Sequence, residues 1–600
     1  MSAKFPEYKG LDLPNVAQEM LSYWEENNIF EKSVTTREGK EPYVFFEGPP
    51  SANGLPGVHH VLARTIKDIF PRYKTMKGFQ VKRKAGWDTH GLPIELGVEK
   101  ELGITKEDIG TKISVEDYNA ACRKAVMRYT HIWNDLTQKM GYWVDMEDPY
   151  VTYEPKYMES VWWLLKEIYN KKLIYKGYTI QPYSPKAGTG LSSHELNQPG
   201  TYQDVTDTTI VAQFKTIENT LPDFLQNQGA VYFLAWTTTP WTLPSNTALT
   251  VGPKIEYVLV DTFNQYTFEP TKVILAKKLI EKQFGGKNNF EVTTSEALSS
   301  YSSGDKKIPF YVVKEFVGKD LIDIKYEQIL DYGCEFENKQ DAFRVIAGDF
   351  VTTEDGTGIV HTSPTFGADD ALVAKQAVPE IPPLLVKDAN DNLVPLVDLQ
   401  GRFRPEVTEF AGKYVKNEYY PEGEAPEKSI DVELAIKLKT ENKAFKVEKY
   451  KHSYPNCWRT DKPILYYPLD SWFIKVTDVK DRMHSLNKTI NWKPASTGTG
   501  RFGNWLANAN DWNLSRSRYW GIPLPIWRTE DGKEEICIGS VKELKEEMLR
   551  SVDAGIMSED IFSSFEVGNM SDENYAKIDL HKNIVDEIVL VSPSGQPMNR

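Results

Sequence analysis

The stretch Gly48-Pro-Pro-Ser-Ala-Asn-Gly-Leu-Pro-Gly-Val-His-His60 decides how the first part of this chain is expected to fold. The apolar run Tyr43–Phe46 before it predicts a strand, and apolar residues at helical spacing from Val58 to Tyr73 predict a helix. The first N–H groups of a helix are unpaired and the helix dipole is positive there, so such a turn binds anions. We expect a nucleotide held by its phosphates; the alternative is an ordinary turn with surface histidines.

A second motif, Gly86-Trp-Asp-Thr-His-Gly-Leu-Pro-Ile-Glu95, follows about one strand–helix–strand unit downstream. Together the two segments resemble the first catalytic half of the isoleucyl-tRNA synthetases, a family of class I enzymes. That family has Gly-Pro-Pro-x-Ala-Asn-Gly, a His-x-Gly-His tetrapeptide, and then Gly-Trp-Asp-x-His-Gly-Leu-Pro. Valyl and leucyl relatives differ at the last of these motifs. The segment Asn504–Pro525 is typical of the branched-chain synthetases as a group.

The resemblance implies an α/β fold, in which a Rossmann-type class I synthetase catalytic domain is interrupted by a β-rich inserted editing domain. We place the first catalytic half at residues 1–195, the inserted domain at 196–402 and the second catalytic half at 403–600. The family continues beyond this point with a KMSKS loop and a helical anticodon-binding domain. Short β-type runs between turns support the inserted domain. The stretch 184–200, rich in Ser, Pro and Gly, predicts a linker, and the apolar run 157–169 predicts a well-buried helix.

Composition describes a globular protein of several domains, with 600 residues, 40% hydrophobic and 26% charged. Four widely spaced cysteines predict no disulfide framework, and no apolar run is long enough to span a membrane. A cytoplasmic monomer is expected. The net charge of −14 by itself argues against a nucleic-acid partner. Seven basic residues nevertheless cluster in one region, as a local patch or as a solvated helix face: Lys67, Arg72, Lys74, Lys77, Lys82, Arg83 and Lys84.

By resemblance, the chain activates isoleucine with ATP, with Mg²⁺ as the counterion, and passes it to tRNA(Ile). Asp88 is expected to grip the α-ammonium group, because a buried cation needs a paired carboxylate; the alternative is an Asp that caps the turn at Gly91. Trp520 is expected as a wall of the isoleucine pocket, with plain core as the alternative. The remaining residues assigned to this site are Gly57, His59 and His60 in the catalytic turn and Pro49, Pro50 and Ser51 for the substrate.

The catalytic turn departs from the family pattern, since its tetrapeptide is Gly57-Val-His-His60. Residues i and i+3 of a helix share a face, whereas i and i+1 point about 100° apart. His59 and His60 are therefore not expected to face the same way. The helix start is displaced, or His60 works alone, or the protein is a catalytically silent tRNA-binding paralogue. We expect an active isoleucine enzyme, with the silent paralogue and a valyl-tRNA synthetase as alternatives.

Two segments of the inserted region match a proofreading site, which removes the smaller valine that the first pocket accepts. They are Trp236-Thr-Thr-Thr-Pro-Trp-Thr-Leu-Pro-Ser-Asn246 and Gly356-Thr-Gly-Ile-Val-His-Thr-Ser-Pro-Thr-Phe-Gly-Ala-Asp-Asp370. By resemblance, Asp370 holds the α-ammonium group of misattached valine and His361 lines the pocket. Hydrogen bonds to a terminal ribose and a water are expected from Thr237, Thr238, Thr239 and Asn246.

Related synthetases carry two Cys-x-x-Cys pairs that form a structural zinc site. The corresponding positions here are Ser184, Ala187, Cys457 and Thr460. A single remaining thiolate cannot hold zinc, so no zinc is expected in residues 1–600, and Cys457 is expected to be a small buried apolar side chain.

Overall fold

The computed structural model describes Gly10, residues 12–389 and residues 391–600, apart from the side chain of Ser193. Within those residues, no helix combines the length and the apolar character needed to cross a membrane. The four cysteines are free and buried.

The α-helices of the described residues are α1 (Leu13–Glu26), α2 (Ile29–Thr35), α3 (Val58–Met76), α4 (Leu92–Leu102), α5 (Val115–Val126), α6 (Thr130–Lys139), α7 (Pro155–Asn170), α8 (Ser193–Leu196), α9 (Ile280–Phe284), α10 (Ala368–Gln376), α11 (Ile430–Thr440), α12 (Lys480–Asn487), α13 (Ala495–Thr499), α14 (Arg501–Ala507), α15 (Val541–Asp553), α16 (Asp572–Tyr575) and α17 (Lys582–Val585).

The strands are β1 (Lys84–Trp87), β2 (Asp145–Val151), β3 (Ile174–Ser184), β4 (Thr189–Gly190), β5 (Tyr202–Lys215), β6 (Val231–Thr237), β7 (Ala248–Val251), β8 (Glu256–Phe263), β9 (Pro270–Ala276), β10 (Asn289–Glu291), β11 (Ile308–Val317), β12 (Arg344–Ala347), β13 (Ile359–Thr362), β14 (Val386–Lys387), β15 (Leu393–Val394), β16 (Ala444–Pro455), β17 (Leu465–Ile474), β18 (Trp512–Asn513), β19 (Ile526–Thr529), β20 (Glu535–Cys537), β21 (Leu590–Val591) and β22 (Pro597–Asn599).

The chain forms two compact units, one of residues 1–174 with 518–600 and the other of residues 175–517. The range 196–402 predicted for the inserted domain lies inside the second unit. The range 403–600 contributes to both units, with residues 518–600 in the first. The predicted domain boundaries themselves remain a prediction.

In the first unit, α3 connects segments that pair in parallel, as an α/β fold requires. The predicted strand at 43–46 is present only as isolated parallel bridges, Pro42 to Gln80 and Phe45 to Arg83. Regular pairing begins at the residue after Arg83, where β1 lies parallel to β2. A separate antiparallel sheet has the order β20-β19-β22-β21.

Helix α3 has the predicted position, but it buries an unusual face. A helix with an apolar stripe ordinarily packs that stripe against the core. Here Arg64, Pro71 and Thr75 are buried. The exposed side carries a run of large apolar residues, Val58, Leu62, Ile66, Ile69, Phe70, Tyr73 and Met76. The Arg64 guanidinium donates to Thr137 Oγ1 at 2.7 Å and lies 5.0 Å from the Trp133 ring, which explains how a charged side chain is accommodated inside.

The second unit is built on a ten-stranded mixed sheet with the order β10-β11-β8-β9-β6-β13-β7-β12, to which β5 and β16 add beside β6. The long antiparallel ribbon of β5 and β16 runs from the Ala212–Ala444 pair to the Tyr202–Pro455 pair. The predicted β-rich texture of this region is thus confirmed. Its core contains Phe214, Phe233 and Leu249, all fully buried.

Two expectations about local burial are wrong. Of the residues of α7, only Met158 and Trp162 are buried, and Trp163 is exposed. The expected linker 184–200 begins instead as a buried hairpin between β3 and β4. Its Ser184 Oγ accepts from the Ala187 N–H at 3.2 Å, so internal hydrogen bonds satisfy polar groups that a linker would present to water.

Candidate functional sites

The histidine turn (residues 57–60) opens α3, with Gly57 as the N-cap residue in extended conformation. His60 Nδ1 accepts a hydrogen bond from the Gly57 N–H at 2.9 Å, which is the half of a capping box in which the third helical residue reaches back to the N-cap N–H. Gly57 has no side chain to supply the other half. The His60 ring also lies edge-on to Trp133, with 4.8 Å between ring centroids. Burial, followed by the neighbouring His59 and Arg64, lowers the pKa of His60 and so favours the neutral ring that can accept this bond.

His59 and His60 were expected to face different ways, but their rings lie together. Their ring centroids lie 3.8 Å apart with an interplanar angle of 42°. Side chains of a helix lean toward its N-terminus, and here both rings lie over Gly57. A Cβ atom added at Gly57 would stand 2.9 Å from His59 Cε1 and Nδ1. Glycine at 57 therefore leaves the space that the His59 ring occupies.

The loop before the turn is held by backbone contacts. The Pro50 carbonyl accepts from the Asp88 N–H at 3.0 Å, and the Gly54 carbonyl accepts from Trp133 Nε1 at 2.9 Å. Ala52 is fully buried in a cluster with Trp133. Among the described residues, Ser51 Oγ is buried and has no hydrogen-bond partner. A buried hydroxyl without a partner costs free energy, so this atom is a candidate contact for a ligand.

Asp88 follows β1 at the same loop, so its backbone lies beside Pro50. The residue is exposed, yet partial burial of its carboxyl raises the pKa, opposed by a hydrogen bond from the His90 N–H. No cationic side chain contributes to this shift. The carboxylate is thus available to a cation brought by a ligand.

Trp520 is a core residue, only 1% exposed. Its Nε1 donates to the Thr89 carbonyl at 2.6 Å, and its ring stacks on His581 with centroids 4.5 Å apart. Glu95 fixes its backbone, because Oε1 accepts from the N–H groups of Tyr519 and Trp520 at 3.0 and 2.9 Å. Trp520 therefore supports the residues next to Asp88 from inside, and its side chain presents almost no surface to a substrate.

Glu95 is fully buried and is the main residue of this region that the sequence did not single out. Its Oε2 pairs with Arg518 Nε at 3.0 Å, and Arg518 also pairs with Glu99. Buried charges need such partners. Glu95 ends the second motif and Arg518 lies in the segment 504–525. Both charged residues therefore stood in segments that the sequence analysis had already singled out, and this could have drawn attention to them.

A cavity of about 840 Å³ lies elsewhere in the first unit. Arg123, Tyr153 and Asp579 are among its lining residues, and no predicted site residue is.

The basic cluster between residues 67 and 84 is mostly engaged within the protein. Lys67 pairs with Glu47 and Lys84 with Asp148, each at 2.7 Å, and Arg72 pairs with Asp68. Arg83 is buried and donates to Thr75 Oγ1 at 2.7 Å. This arrangement favours the interpretation as an ordinary helix face and its surroundings over a nucleic-acid patch.

In the second unit, β6 ends in the threonine segment (residues 237–246). Thr237 Oγ1 accepts from the Thr239 N–H at 3.1 Å, which folds the chain into a 3₁₀ helix, Pro240–Ser245. Thr237 is buried, whereas Thr238 and Thr239 keep part of their surface. These two residues are therefore the members of the segment that a ligand can reach.

His361, on β13, is nearly buried and both ring nitrogens are engaged. Asn246 Nδ2 lies 2.8 Å from His361 Nδ1, and Thr242 Oγ1 lies 2.9 Å from Nε2. Asn246 Nδ2 also donates to the Ala248 carbonyl at 2.8 Å, and Asn246 Oδ1 accepts from Tyr326 at 2.7 Å. The amide orientation is thereby fixed, so Nδ1 accepts and Nε2–H donates to Thr242. Burial lowers the pKa of His361 to about 3, so the ring is neutral at pH 7.

Asn246 itself is fully buried, so its surroundings consume its hydrogen bonds and leave it no surface for a ribose. Thr242 and Tyr326 complete the network, and neither was among the predicted site residues. Thr242 lies in the quoted segment and could have been found there. Tyr326 lies 80 residues from Asn246 in the chain, in no recognised motif.

Asp370 lies in the first turn of α10, where helix N–H groups favour negative charge. Its Oδ2 accepts from the Ser363 N–H at 2.8 Å. Burial raises the pKa of the Asp370 carboxyl to about 7, with Ser363 opposing and Asp369 reinforcing the shift. A Cβ atom at Gly367 would lie 2.7 Å from Asp370 Cγ and Oδ2, so glycine there leaves room for the carboxylate.

Comparison with known proteins identifies the family to which the chain belongs. The model of the tRNA synthetases class I (I, L, M and V) matches residues 19–583. The chain belongs to the class I tRNA synthetases. Two expectations from the sequence, the resemblance to class I synthetases and the α/β class, are confirmed.

Several class I synthetases for isoleucine are similar to this chain. Isoleucine–tRNA ligase of Bacteroides fragilis is 60% identical over 618 residues, covering 100% of the chain and 53% of the relative. That of Cytophaga hutchinsonii is 61% identical, covering 99% and 52%. That of Clostridium tetani is 41% identical, covering 99% and 49%. The chain thus spans about half the length of the relatives it matches.

The four positions at which the resemblance implied zinc-binding cysteines (184, 187, 457 and 460) lie in the second unit. Ser184, Ala187 and Cys457 are buried. Cys457 is fully buried, as expected for a small apolar side chain. No group of three or more His, Cys, Asp or Glu side chains in the described residues is arranged to hold a metal ion.

Proposed function

We propose that this chain carries the activation and editing sites of an isoleucine–tRNA ligase. The protein would convert isoleucine and ATP to isoleucyl-adenylate, transfer the amino acid to tRNA(Ile) and hydrolyse misactivated valine. The observation that carries this proposal is about 60% identity to isoleucine–tRNA ligases over the whole chain. The union of the two sequence motifs at the Pro50–Asp88 hydrogen bond supports it.

The activation site would use the histidine turn for the nucleotide. The α3 N-terminus would offer its first N–H groups to phosphate oxygens, while His60 accepts from the Gly57 N–H and His59 remains exposed. ATP would bring Mg²⁺ on its own phosphates. Magnesium sites of this kind rarely need a cage made entirely of protein ligands. Ser51 Oγ and the loop residues Pro49 and Pro50 would serve as substrate contacts. Catalysis here is positioning and charge stabilisation of an in-line attack on the α-phosphate.

Asp88 would bind the α-ammonium group of isoleucine. Its carboxylate follows β1, adjoins the loop through its own N–H and has no cation of its own contributing to its pKa. Trp520 would act from behind, by holding the Thr89 carbonyl, rather than as the exposed wall of the pocket.

In the editing site, partly exposed and buried residues would have different roles. Thr238 and Thr239 would contact the terminal ribose and the attacking water, and Asp370 would hold the α-ammonium group of valine. Thr237, Asn246 and His361 would set the shape of the site, because their polar atoms are engaged with the protein. We propose residues 196–402 as the inserted editing domain, and a cytoplasmic monomer as the working form.

The test uses the full-length protein that carries this chain. Isoleucine-dependent exchange of pyrophosphate into ATP is expected, and it should exceed valine-dependent exchange by ~10²-fold, as one methylene allows. Asp88→Asn should lower exchange with little change in thermal stability, with Asp369→Asn, an exposed acidic residue of the other unit, as the control. Absence of exchange would support the silent paralogue, and a preference for valine would support a valyl enzyme.

A further inference from the structure

A buried ionic chain lies beneath the threonine segment in the second unit. Asp431 is only 5% exposed, and its Oδ1 accepts from the Trp241 N–H at 3.0 Å. Trp241 is in the first turn of the 3₁₀ helix Pro240–Ser245, so this carboxylate caps the helix that carries Thr242. Asp431 is 190 residues from Trp241 in sequence, at the start of α11.

The charge on Asp431 is balanced inside the protein. Its Oδ2 lies 3.8 Å from Lys416 Nζ, which in turn lies 3.2 Å from Asp207 Oδ2. The same Asp207 oxygen lies 3.2 Å from His452 Nε2, and the Lys416 ammonium lies 4.8 Å from the Tyr454 ring centroid. Lys416 is itself buried, at 7% exposed. Removing these charges from water is unfavourable even when they are paired, so the arrangement needs a gain elsewhere.

The contact has a direct path to the editing residues. Asp431 fixes the N–H of Trp241, and the next residue, Thr242, donates to the Thr239 carbonyl at 2.8 Å while accepting from His361. The orientation of the partly exposed Thr239 and of the His361 ring therefore depends on how the 3₁₀ helix begins. An apolar residue at 431 would leave the Trp241 N–H buried and unpaired.

We propose that Asp431, held by Lys416, is a positioning residue that sets the geometry of the editing site. This inference rests on the proposed editing function for its kinetic consequence, but the positioning itself is a statement about the structure. Asp431 does not touch the substrate. It acts through the Trp241 N–H on Thr239, Thr242 and His361.

The first experiment measures hydrolysis of valyl-tRNA(Ile) by the full-length protein, at a temperature where every variant is folded. Asp431→Ala should lower kcat by at least about tenfold with little change in KM, since misplaced groups lose rate steeply. Asp431→Asn retains an acceptor oxygen for Trp241 and should regain most of the rate. The matched control is Glu433→Ala, which removes a charge from the same helix turn whose partner is Lys413.

The second experiment reads the positioning without any activity. In protein labelled with ¹⁵N-histidine, Asp431→Ala should shift the ring-nitrogen resonances of His361, whereas Asp431→Asn and Glu433→Ala should leave them in place. Unchanged His361 resonances together with an unchanged kcat in Asp431→Ala would overturn the inference. A protein that never hydrolyses valyl-tRNA(Ile), but whose His361 resonances shift as expected, would overturn the editing proposal and retain the positioning.

Discussion

At the residue scale, neighbouring histidines of the histidine turn have different surroundings. His60 accepts from the Gly57 N–H and packs on Trp133, whereas His59 is exposed. One of the alternatives left open by the sequence was that both histidines serve the nucleotide. The structure instead gives His60 a share in holding the helix start, and this difference can be measured.

His60→Ala should weaken the start of α3 by ~1 kcal/mol, because it removes the acceptor for the Gly57 N–H. Amide hydrogen exchange in the first turn should accelerate about fivefold. His60→Gln should recover most of the protection, since Gln at this position also reaches back to the N-cap N–H. His59→Ala is the control, with a change below ~0.5 kcal/mol; equal effects at both positions would contradict the capping role.

A second residue-scale prediction concerns pH. Asp370, with its pKa raised to about 7, is largely protonated at pH 6 and ionised at pH 8. Only the ionised form attracts an ammonium group, so affinity for a non-hydrolysable valyl-adenosine ester analogue should rise as pH increases through 7. It should fall again above about pH 8, where an α-amino group loses its proton.

Isothermal titration calorimetry from pH 5.5 to 9 measures this profile directly. Asp370→Asn should bind weakly, without the rise near neutral pH. A wild-type affinity that stays constant across this range would show that Asp370 does not hold the ammonium group.

At the scale of elements, α3 separates what periodicity predicts from what packing decides. Spacing of apolar residues located the helix correctly. It could not show that the apolar side would stay exposed, with Val58 at 85% and Met76 at 75%, while Arg64 is buried. Monomeric soluble proteins seldom expose so long an apolar stripe.

The exposed stripe of α3 should bind a hydrophobic dye. In this 600-residue chain, Leu62→Ser combined with Ile69→Ser should lower the fluorescence of bound ANS by roughly half. Unfolding free energy should change by less than ~0.5 kcal/mol for each exposed position. Leu549→Ser, at a similarly exposed position on α15, is the control and should leave the fluorescence nearly unchanged. Dye binding that is equal in all variants would show that the stripe is not the binding surface.

Elements of the second unit were predicted more completely. The apolar runs at 231–236, 257–260 and 272–276 lie within β6, β8 and β9. Alternation and β-branched residues locate such strands locally. The sheet order β8-β9-β6-β13 could not be obtained in this way, because it depends on pairing between strands that are far apart in the chain.

At the scale of the whole molecule, one prediction concerns zinc and the four positions at which the resemblance implied cysteines. The purified chain should contain well below one equivalent of zinc by plasma mass spectrometry, since Ser184 and Ala187 offer no thiolate and Cys457 is fully buried. A chelator destabilises a protein that depends on structural zinc. Because no zinc is expected here, thermal unfolding should not change on addition of EDTA. Stoichiometric zinc, or destabilisation by EDTA, would refute the expectation.

The sequence by itself determined the family, the helix start at the histidine turn and the strands of the β-rich region. These depend on residue types at short spacing, where local backbone preference and side-chain periodicity act. Only the tertiary structure decided which side chains those segments bring together. Glu95 meets Trp520 across 425 residues, Tyr326 meets Asn246 across 80, and Asp431 meets Trp241 across 190. The physical reason is that a buried polar group must find a partner wherever packing places one, and sequence spacing carries no record of that choice.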